Sequence, residues 1–132
     1  MRFREGASTT YLYLFLEGEF DIEEIPWISD QILDSCARHQ GTKILLDQRG
    51  LSGNPTAMER FRMATVFTAK FIQARLTNRI PACVFAMVGQ EPMVDPKRFG
   101  ETVALNRGIP IKVFTDFQEA LRWLGVEGTG EK

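Results

Sequence analysis

The sequence predicts one α/β domain built on a mixed, mostly parallel sheet. Short apolar runs alternate with segments of helical periodicity in the order β-β-α-β-α-β-α-β-α. Such alternation favours right-handed crossovers between parallel strands. The length of 132 residues and the hydrophobic fraction of 44% are ordinary for a single globular domain. We expect residues 1–126 to form this domain and the Gly-rich, polar residues 127–132 to form a flexible tail.

Two predicted strands open the chain. Phe3–Glu5 is a weak strand, Gly6–Ser8 is a turn signal, and Tyr11–Glu17 is a strong, aromatic-rich strand, so we expect an antiparallel hairpin. Alternation places Tyr11, Tyr13 and Phe15 on one face of the second strand and Leu12, Leu14 and Leu16 on the other. Because both faces are apolar, the sheet is expected to be covered on both sides.

The first helix has two candidate starts. Asp21 followed by Glu24 is typical of a capping box, but Pro26 favours a start near Ile25, with the proline in the first helical position. Gly41 ends this helix. A short buried strand is predicted over Lys43–Asp47, followed by a loop over Gln48–Pro55 with two glycines and an Asn-Pro pair.

The remaining elements follow from capping and breaking signals. A long helix is predicted over Thr56–Leu76 and a buried strand over Ala82–Val88. Asp95 and Pro96 open a helix that runs to about Arg107.

The last strand and helix close the domain. Lys112 interrupts the apolar run Ile111–Phe114, which favours an edge strand. Asp116 and Glu119 form a capping box that begins a final helix over Phe117–Leu124.

Composition narrows the classes of function. A net charge of -1 and a pI near 5.9 argue against a nucleic-acid binder. No apolar run is as long as a membrane span and the N-terminus lacks the apolar core of a signal peptide, so we expect a cytoplasmic protein. Phosphate-loop, dinucleotide and zinc motifs are absent, and no cofactor is expected. Cys36 and Cys83 lack metal-type spacing and are interpreted as small buried side chains.

Two segments resemble a known family. Ile44–Leu51 (Ile-Leu-Leu-Asp-Gln-Arg-Gly-Leu) resembles a strand and loop of the SpoIIAA-like family, which is related to the STAS domains of anti-sigma-factor antagonists. Val113–Leu124 resembles the closing strand and helix of that family, and the hairpin ending at Glu17 and Gly18 also fits. The resemblance covers about Phe3 to Leu124. It implies a β/α superhelix with an N-terminal hairpin, a mixed sheet and four helices, similar in shape to CRAL-TRIO lipid-transfer domains.

The resemblance also implies a function and a modification. These motifs are structural, so the leading hypothesis is a non-enzymatic regulatory module that docks to a protein partner or forms a homodimer. In the family's antagonists, a serine at the start of the helix after this strand is phosphorylated. Here the candidate acceptors are Ser52 and Thr56, although the family's Asp-Ser-Gly-Leu context is missing. The alternative is that both residues serve a plain turn and helix cap.

Catalytic groups are sparse. Asp47, Glu91 and Asp95 fall at the predicted carboxyl edge of the sheet, where carboxylates could hold Mg²⁺. The simpler interpretation makes Asp95 a helix cap and pairs Asp47 with Arg49. His39, the only histidine, is expected to stabilise a helix C-terminus, and nothing supports a catalytic set of Ser52, His39 and Asp47. We therefore assign no catalytic residue or metal, and a hydrolase using Asp47, Arg49, Ser52 and Asp95 is the weakest hypothesis.

Several arginines are expected near the same edge. They could grip a phosphate or carboxylate, but solvated helix faces are the favoured interpretation. These residues are Arg49, Arg60, Arg62, Arg98 and Arg107.

The long helix carries more apolar surface than one sheet face requires. One stripe contains Phe61, Ala64, Thr68, Ile72 and Leu76, and an adjoining stripe contains Met63, Phe67, Phe71 and Ala74. Together they span roughly 220° of the helix circumference. The second stripe must therefore pack on another helix, a second subunit or an apolar ligand.

These three alternatives define the candidate site. The ligand hypothesis is a carrier or sensor of a small apolar or lipid-like molecule, and it predicts an enclosed cavity lined by Met63, Phe67 and Phe71. The candidate ligand or interface residues are Met63, Phe67, Phe71, Asp47, Arg49 and Asn54.

Overall fold

A computed structural model describes residues 1–95 and 108–126 of the chain. Within these residues it contains five β-strands, three α-helices and a 3₁₀ turn at Ile22–Glu24. The strands are β1 (Arg2–Glu5), β2 (Leu12–Glu19), β3 (Lys43–Ser52), β4 (Val84–Val88) and β5 (Ile111–Phe114). The helices are α1 (Ile25–His39), α2 (Ala57–Leu76) and α3 (Phe117–Leu124). The predicted helix from Pro96 to Arg107 and the predicted tail at 127–132 lie outside the described residues.

The strands form one sheet in the order β1-β2-β3-β4-β5. β1 pairs with β2 antiparallel, and every later neighbour pairs in parallel. The predicted mixed, mostly parallel sheet with an N-terminal hairpin is thus confirmed. β5 lies at an edge, as the exposed Lys112 in its centre predicts.

Both faces of the sheet are covered. Leu14 and Leu16 belong to a core cluster with α1 and α2 side chains, such as Ile32 and Phe71. Tyr11 and Tyr13 point to the opposite face. There they share a second cluster with side chains from β3, β4 and α3: Leu45, Ala86, Val88, Leu121 and Leu124. The predicted two-sided burial of β2 is therefore confirmed.

The predicted loop after Asp47 is wrong over its first five residues, because β3 continues to Ser52. β2 also runs further than predicted, to Glu19, and a bulge between Phe15 and Glu17 lets it pair with Gly50, Leu51 and Ser52 of β3. A Cβ added to Gly50 would lie only 3.1 Å from the Glu17 side chain. This glycine permits a close strand approach, and it does not mark a loop.

The observed start of α1 decides between the two predictions made for this helix. The helix begins at Ile25 with Pro26 in its first turn, as the proline signal predicts. Asp21 does not cap α1, because its carboxylate accepts from the Glu23 amide at 2.9 Å and caps the preceding 3₁₀ turn. Glu24 instead forms an ion pair with the N-terminal amine of Met1. The predicted Asp21–Glu24 capping box is therefore wrong.

No helix among residues 1–95 and 108–126 combines the length and apolarity needed to cross a membrane.

Candidate functional site

Asp47 sits on β3 with its carboxylate facing Tyr13 of the neighbouring strand. The residue is only 4% exposed. Its Oδ1 accepts from the Arg49 backbone amide and from Nε, both at 3.0 Å. Its Oδ2 accepts from Tyr13 Oη at 2.9 Å and from Arg49 Nη2 at 2.7 Å. Two oxygens have about four lone-pair positions, so these four bonds use the acceptor capacity of Asp47.

The electrostatics of this cluster favour the ion pair. Burial raises the pKa of the Asp47 carboxyl, but the hydrogen bonds from Arg49 and Tyr13 outweigh it and hold that pKa below its usual value. Burial and the bond to Asp47 raise the pKa of the Tyr13 phenol. The Arg49 guanidinium also lies over the Phe117 ring, 4.6 Å from its centroid. The cluster therefore joins β2, β3 and α3 and offers neither a free base nor a free metal ligand.

The set of Ser52, His39 and Asp47 is not assembled. His39 ends α1, and its Nε2 lies 3.1 Å from Oε1 of Glu5, the last residue of β1. Ser52 Oγ donates to the Gly18 carbonyl at 3.3 Å, beside the start of β1 and so away from Glu5. Among the described residues, no three His, Cys, Asp or Glu side chains are grouped as metal ligands would be. The hydrolase hypothesis thus has no geometric support.

The Arg60 guanidinium donates its hydrogen bonds to other residues of the chain. Its Nη1 donates to the Met93 carbonyl at 2.9 Å, and its Nη2 donates to the Pro92 carbonyl at 2.6 Å and to Asn54 Oδ1 at 3.3 Å. These bonds attach the segment after β4 to the start of α2. Asn54 consequently has a structural partner.

The remaining arginines of the expected group differ in their surroundings. Arg62 is exposed on α2, whereas Arg49 is paired with Asp47. Arg98 and Arg107 lie outside the described residues.

Ser52 and Thr56 are both exposed but occupy different positions. Thr56 is the N-cap of α2, where its hydroxyl accepts from the Glu59 amide at 3.1 Å. The Glu59 carboxylate accepts from the Thr56 amide at 2.9 Å and completes a capping box. Ser52 ends β3, and its hydroxyl donates to the Gly18 carbonyl of β2. Phosphorylation of either residue stays a prediction.

The two apolar stripes of α2 face in directions that the sequence did not reveal. Phe71 and Ala74 are buried in the domain's own core, and the rings of Phe67 and Phe71 lie 5.5 Å and 5.8 Å from that of Phe85. The second stripe therefore packs on the sheet. Ile72 and Leu76 of the first stripe are 37% and 76% exposed. The surplus apolar surface is therefore part of the first stripe, namely Phe61, Ile72 and Leu76, whereas Thr68 of that stripe is buried.

A cavity of about 170 Å³ lies between α1, α2 and the sheet. Met63 and Phe67 line it and Phe71 does not, and a ligand-binding role for these residues stays a prediction. Three further methionines line it: Met1, Met87 and Met93. No sequence pattern groups them, because they come from separate parts of the chain and share only their residue type.

Comparison with known proteins supports the fold. No family model matches the sequence, and no curated protein matches it either. The chain is similar in structure to an anti-sigma factor antagonist from Mycobacterium paratuberculosis, with a TM-score of 0.58 and 12% identity over 94% of this chain and 93% of that one. SpoIIAA in its unphosphorylated form aligns over 94% of this chain and 97% of its own, at 18% identity and a TM-score of 0.47. The SpoIIAA-like fold implied by the resemblance is confirmed by the first of these structures.

Proposed function

We propose that the chain is a non-enzymatic regulatory module that binds a partner protein on the outward face of α2. The observation that carries this proposal is an apolar stripe on that face, which we name the α2 stripe. It comprises Met58, Phe61, Ala69, Ile72 and Leu76. Met58 is 77% exposed and Leu76 is similar, although large apolar side chains are usually buried. The likeness to a protein that antagonises another regulatory protein agrees with this role.

The spacing of the α2 stripe suits a partner helix or groove. At about 100° per residue, its members fall on the side of α2 opposite Phe67, Phe71 and Ala74. From Met58 to Leu76 the stripe extends about 27 Å along the helix. A row of exposed apolar side chains along a helix is typical of protein docking sites.

Charge favours a distinct partner over a second copy of this chain. α2 contains four basic residues and one acidic residue. The charge of Lys70 is offset by Asp30 at 3.0 Å. Arg60 turns inward to the Met93 carbonyl and lines the cavity, so the basic residue beside the α2 stripe is the exposed Arg62. Two copies joined through this face would oppose like charges, which is unfavourable. A partner with apolar side chains rimmed by carboxylates would complement it.

The test compares binding by matched variants. The double variant Met58→Gln/Leu76→Gln removes both ends of the α2 stripe, and Trp123→Gln changes a large apolar residue on α3 that is 41% exposed. We expect wild type and Trp123→Gln to bind one stoichiometric partner with equal affinity, measured by calorimetry with the purified partner. The double variant should bind at least tenfold more weakly, because loss of anchoring side chains typically has effects of this size.

Three results would contradict the proposal. The first is undiminished binding by the double variant, and the second is a stable homodimer that this variant dissociates. The third is catalytic turnover that is lost in Asp47→Asn.

A further inference from the structure

The structure assigns a second, independent role to the cavity between α1, α2 and the sheet. We propose that it binds one small molecule, a single ring or short alkyl chain that carries one hydroxyl or carbonyl group. Three observations lead to this ligand: the volume, the lining and one buried hydroxyl. None of them depends on the α2 stripe, which lies on the other side of the helix.

The volume sets the size of the ligand. The cavity opens partly to the surface, and its volume of about 170 Å³ is far larger than that of one water molecule. An apolar cavity of about 150 Å³ in another protein stays dry and takes up benzene or xenon. Pockets for drug-sized ligands usually reach about 300 Å³ or more. A six- to eight-atom ligand therefore fits better than the lipid-like molecule expected from the sequence.

The lining sets the polarity of the ligand. Apolar side chains dominate, among them Ile28 of α1, Leu46 of β3 and Phe67 of α2. Four of the five methionines of the chain line the cavity, and the fifth, Met58, is exposed. Methionine side chains are flexible and polarisable, so they adapt to an apolar guest.

Thr68 supplies the polar contact. The residue lines the cavity and is 1% exposed. Its Oγ1 is buried and has no hydrogen-bond partner within the part of the chain that the structure describes. Burying a hydroxyl without a partner is unfavourable. A ligand hydroxyl or carbonyl beside Thr68 would satisfy that group.

The methionines provide a direct readout of binding. In protein labelled with ¹³C at the methionine methyl groups, phenol and benzene serve as probes. We expect both to shift the NMR signals of Met63, Met87 and Met93 while the signal of Met58 stays in place. Phenol should bind roughly threefold to tenfold more tightly than benzene, the effect of one neutral hydrogen bond.

Two variants locate the site. Ala64→Leu fills the cavity and should abolish the shifts, whereas Ala69→Leu makes the same change on the exposed side of α2 and should leave them intact. Thr68→Val retains the side-chain shape and should remove the preference for phenol without weakening benzene binding. This variant keeps the test decisive if Ala64→Leu does not fold.

The proposal is overturned if neither probe shifts the cavity methionines, if Met58 shifts equally, or if Thr68→Val retains the preference for phenol. Because the measurement uses the purified chain alone, its failure would leave the protein-docking proposal untouched. Loss of partner binding in the α2 stripe variant would likewise say nothing about the cavity.

Discussion

Asp47 and Tyr13 are 34 residues apart in sequence, yet their side chains meet because β2 and β3 are adjacent and parallel. The sequence places Asp47 at the end of an apolar run and suggests Arg49 as its partner, and the structure contains that pair. Alternation also predicts the face of Tyr13. The register between the two strands cannot be derived from either strand alone, so the sequence could not show that Tyr13 completes the cluster.

The Glu5 carboxylate makes the free energy of unfolding depend on pH in the acid range. Its carboxylate accepts hydrogen bonds from Ser35, Arg38 and His39. The Ser35 bond is the largest cause, and together these contacts lower the pKa of Glu5 to about 2 from an ordinary 4.5. A depressed folded-state pKa adds stability that is complete above about pH 4.5 and disappears as the pH falls towards 2.

We therefore predict that Glu5→Gln flattens the acid side of the stability profile. Wild type should lose more free energy of unfolding than the variant between pH 4.5 and pH 2, and their difference should be constant above pH 5. Urea unfolding at a series of pH values measures both curves. Parallel curves across the acid range would show that Glu5 does not contribute in this way.

At the level of helices and strands, local sequence signals predict the bounds correctly where a capping residue determines one end. β5 and α3 occupy the predicted residues, and α2 starts directly after the capping threonine. β3 is longer than predicted because residues after Asp47 are held by β2, a distant partner. The periodicity of α2 reveals two apolar arcs, but it cannot say which arc faces the sheet. That choice depends on the orientation of the whole helix.

Thr56 tests the contribution of one cap to α2. Thr56→Ala removes the acceptor for the Glu59 amide and breaks the capping box. We expect a loss of about 1 kcal/mol in the free energy of unfolding. Ser52→Ala is the matched control, because Ser52 is exposed and makes one 3.3 Å bond at a strand end, and it should change stability by less than about 0.5 kcal/mol. Equal losses in both variants would contradict a capping role.

For the whole molecule, hydrophobic patterning predicts the layers but not how completely they fill space. Apolar residues on both faces of β2 correctly predict a sheet covered on each side. The cavity arises where side chains from four strands, two helices and the segment after β4 fail to meet. Its volume depends on helix positions that no local pattern encodes, so the sequence could suggest Met63 and Phe67 as lining residues but not the size of the ligand.

The thiols of Cys36 and Cys83 can show whether the core unfolds as one cooperative unit. Both are free, and they are 0% and 6% exposed in the same core cluster. Burial, together with the neighbouring Cys83, raises the pKa of the Cys36 thiol to about 12. Burial raises the pKa of the Cys83 thiol to about 11. Since the thiolate is the reactive form, both cysteines should be inert towards thiol reagents in the native protein at pH 8.

Labelling in increasing urea should therefore follow unfolding. If the domain unfolds as one unit, both cysteines react with the same midpoint as the loss of helical circular dichroism. The single variants Cys36→Ser and Cys83→Ser separate the two signals, and mass spectrometry counts the labels. Rapid labelling of Cys83 without urea would instead show that the segment entering β4 opens locally, without unfolding of the sheet. In that case the connection between α2 and β4 would open at a lower free energy than the rest of the core.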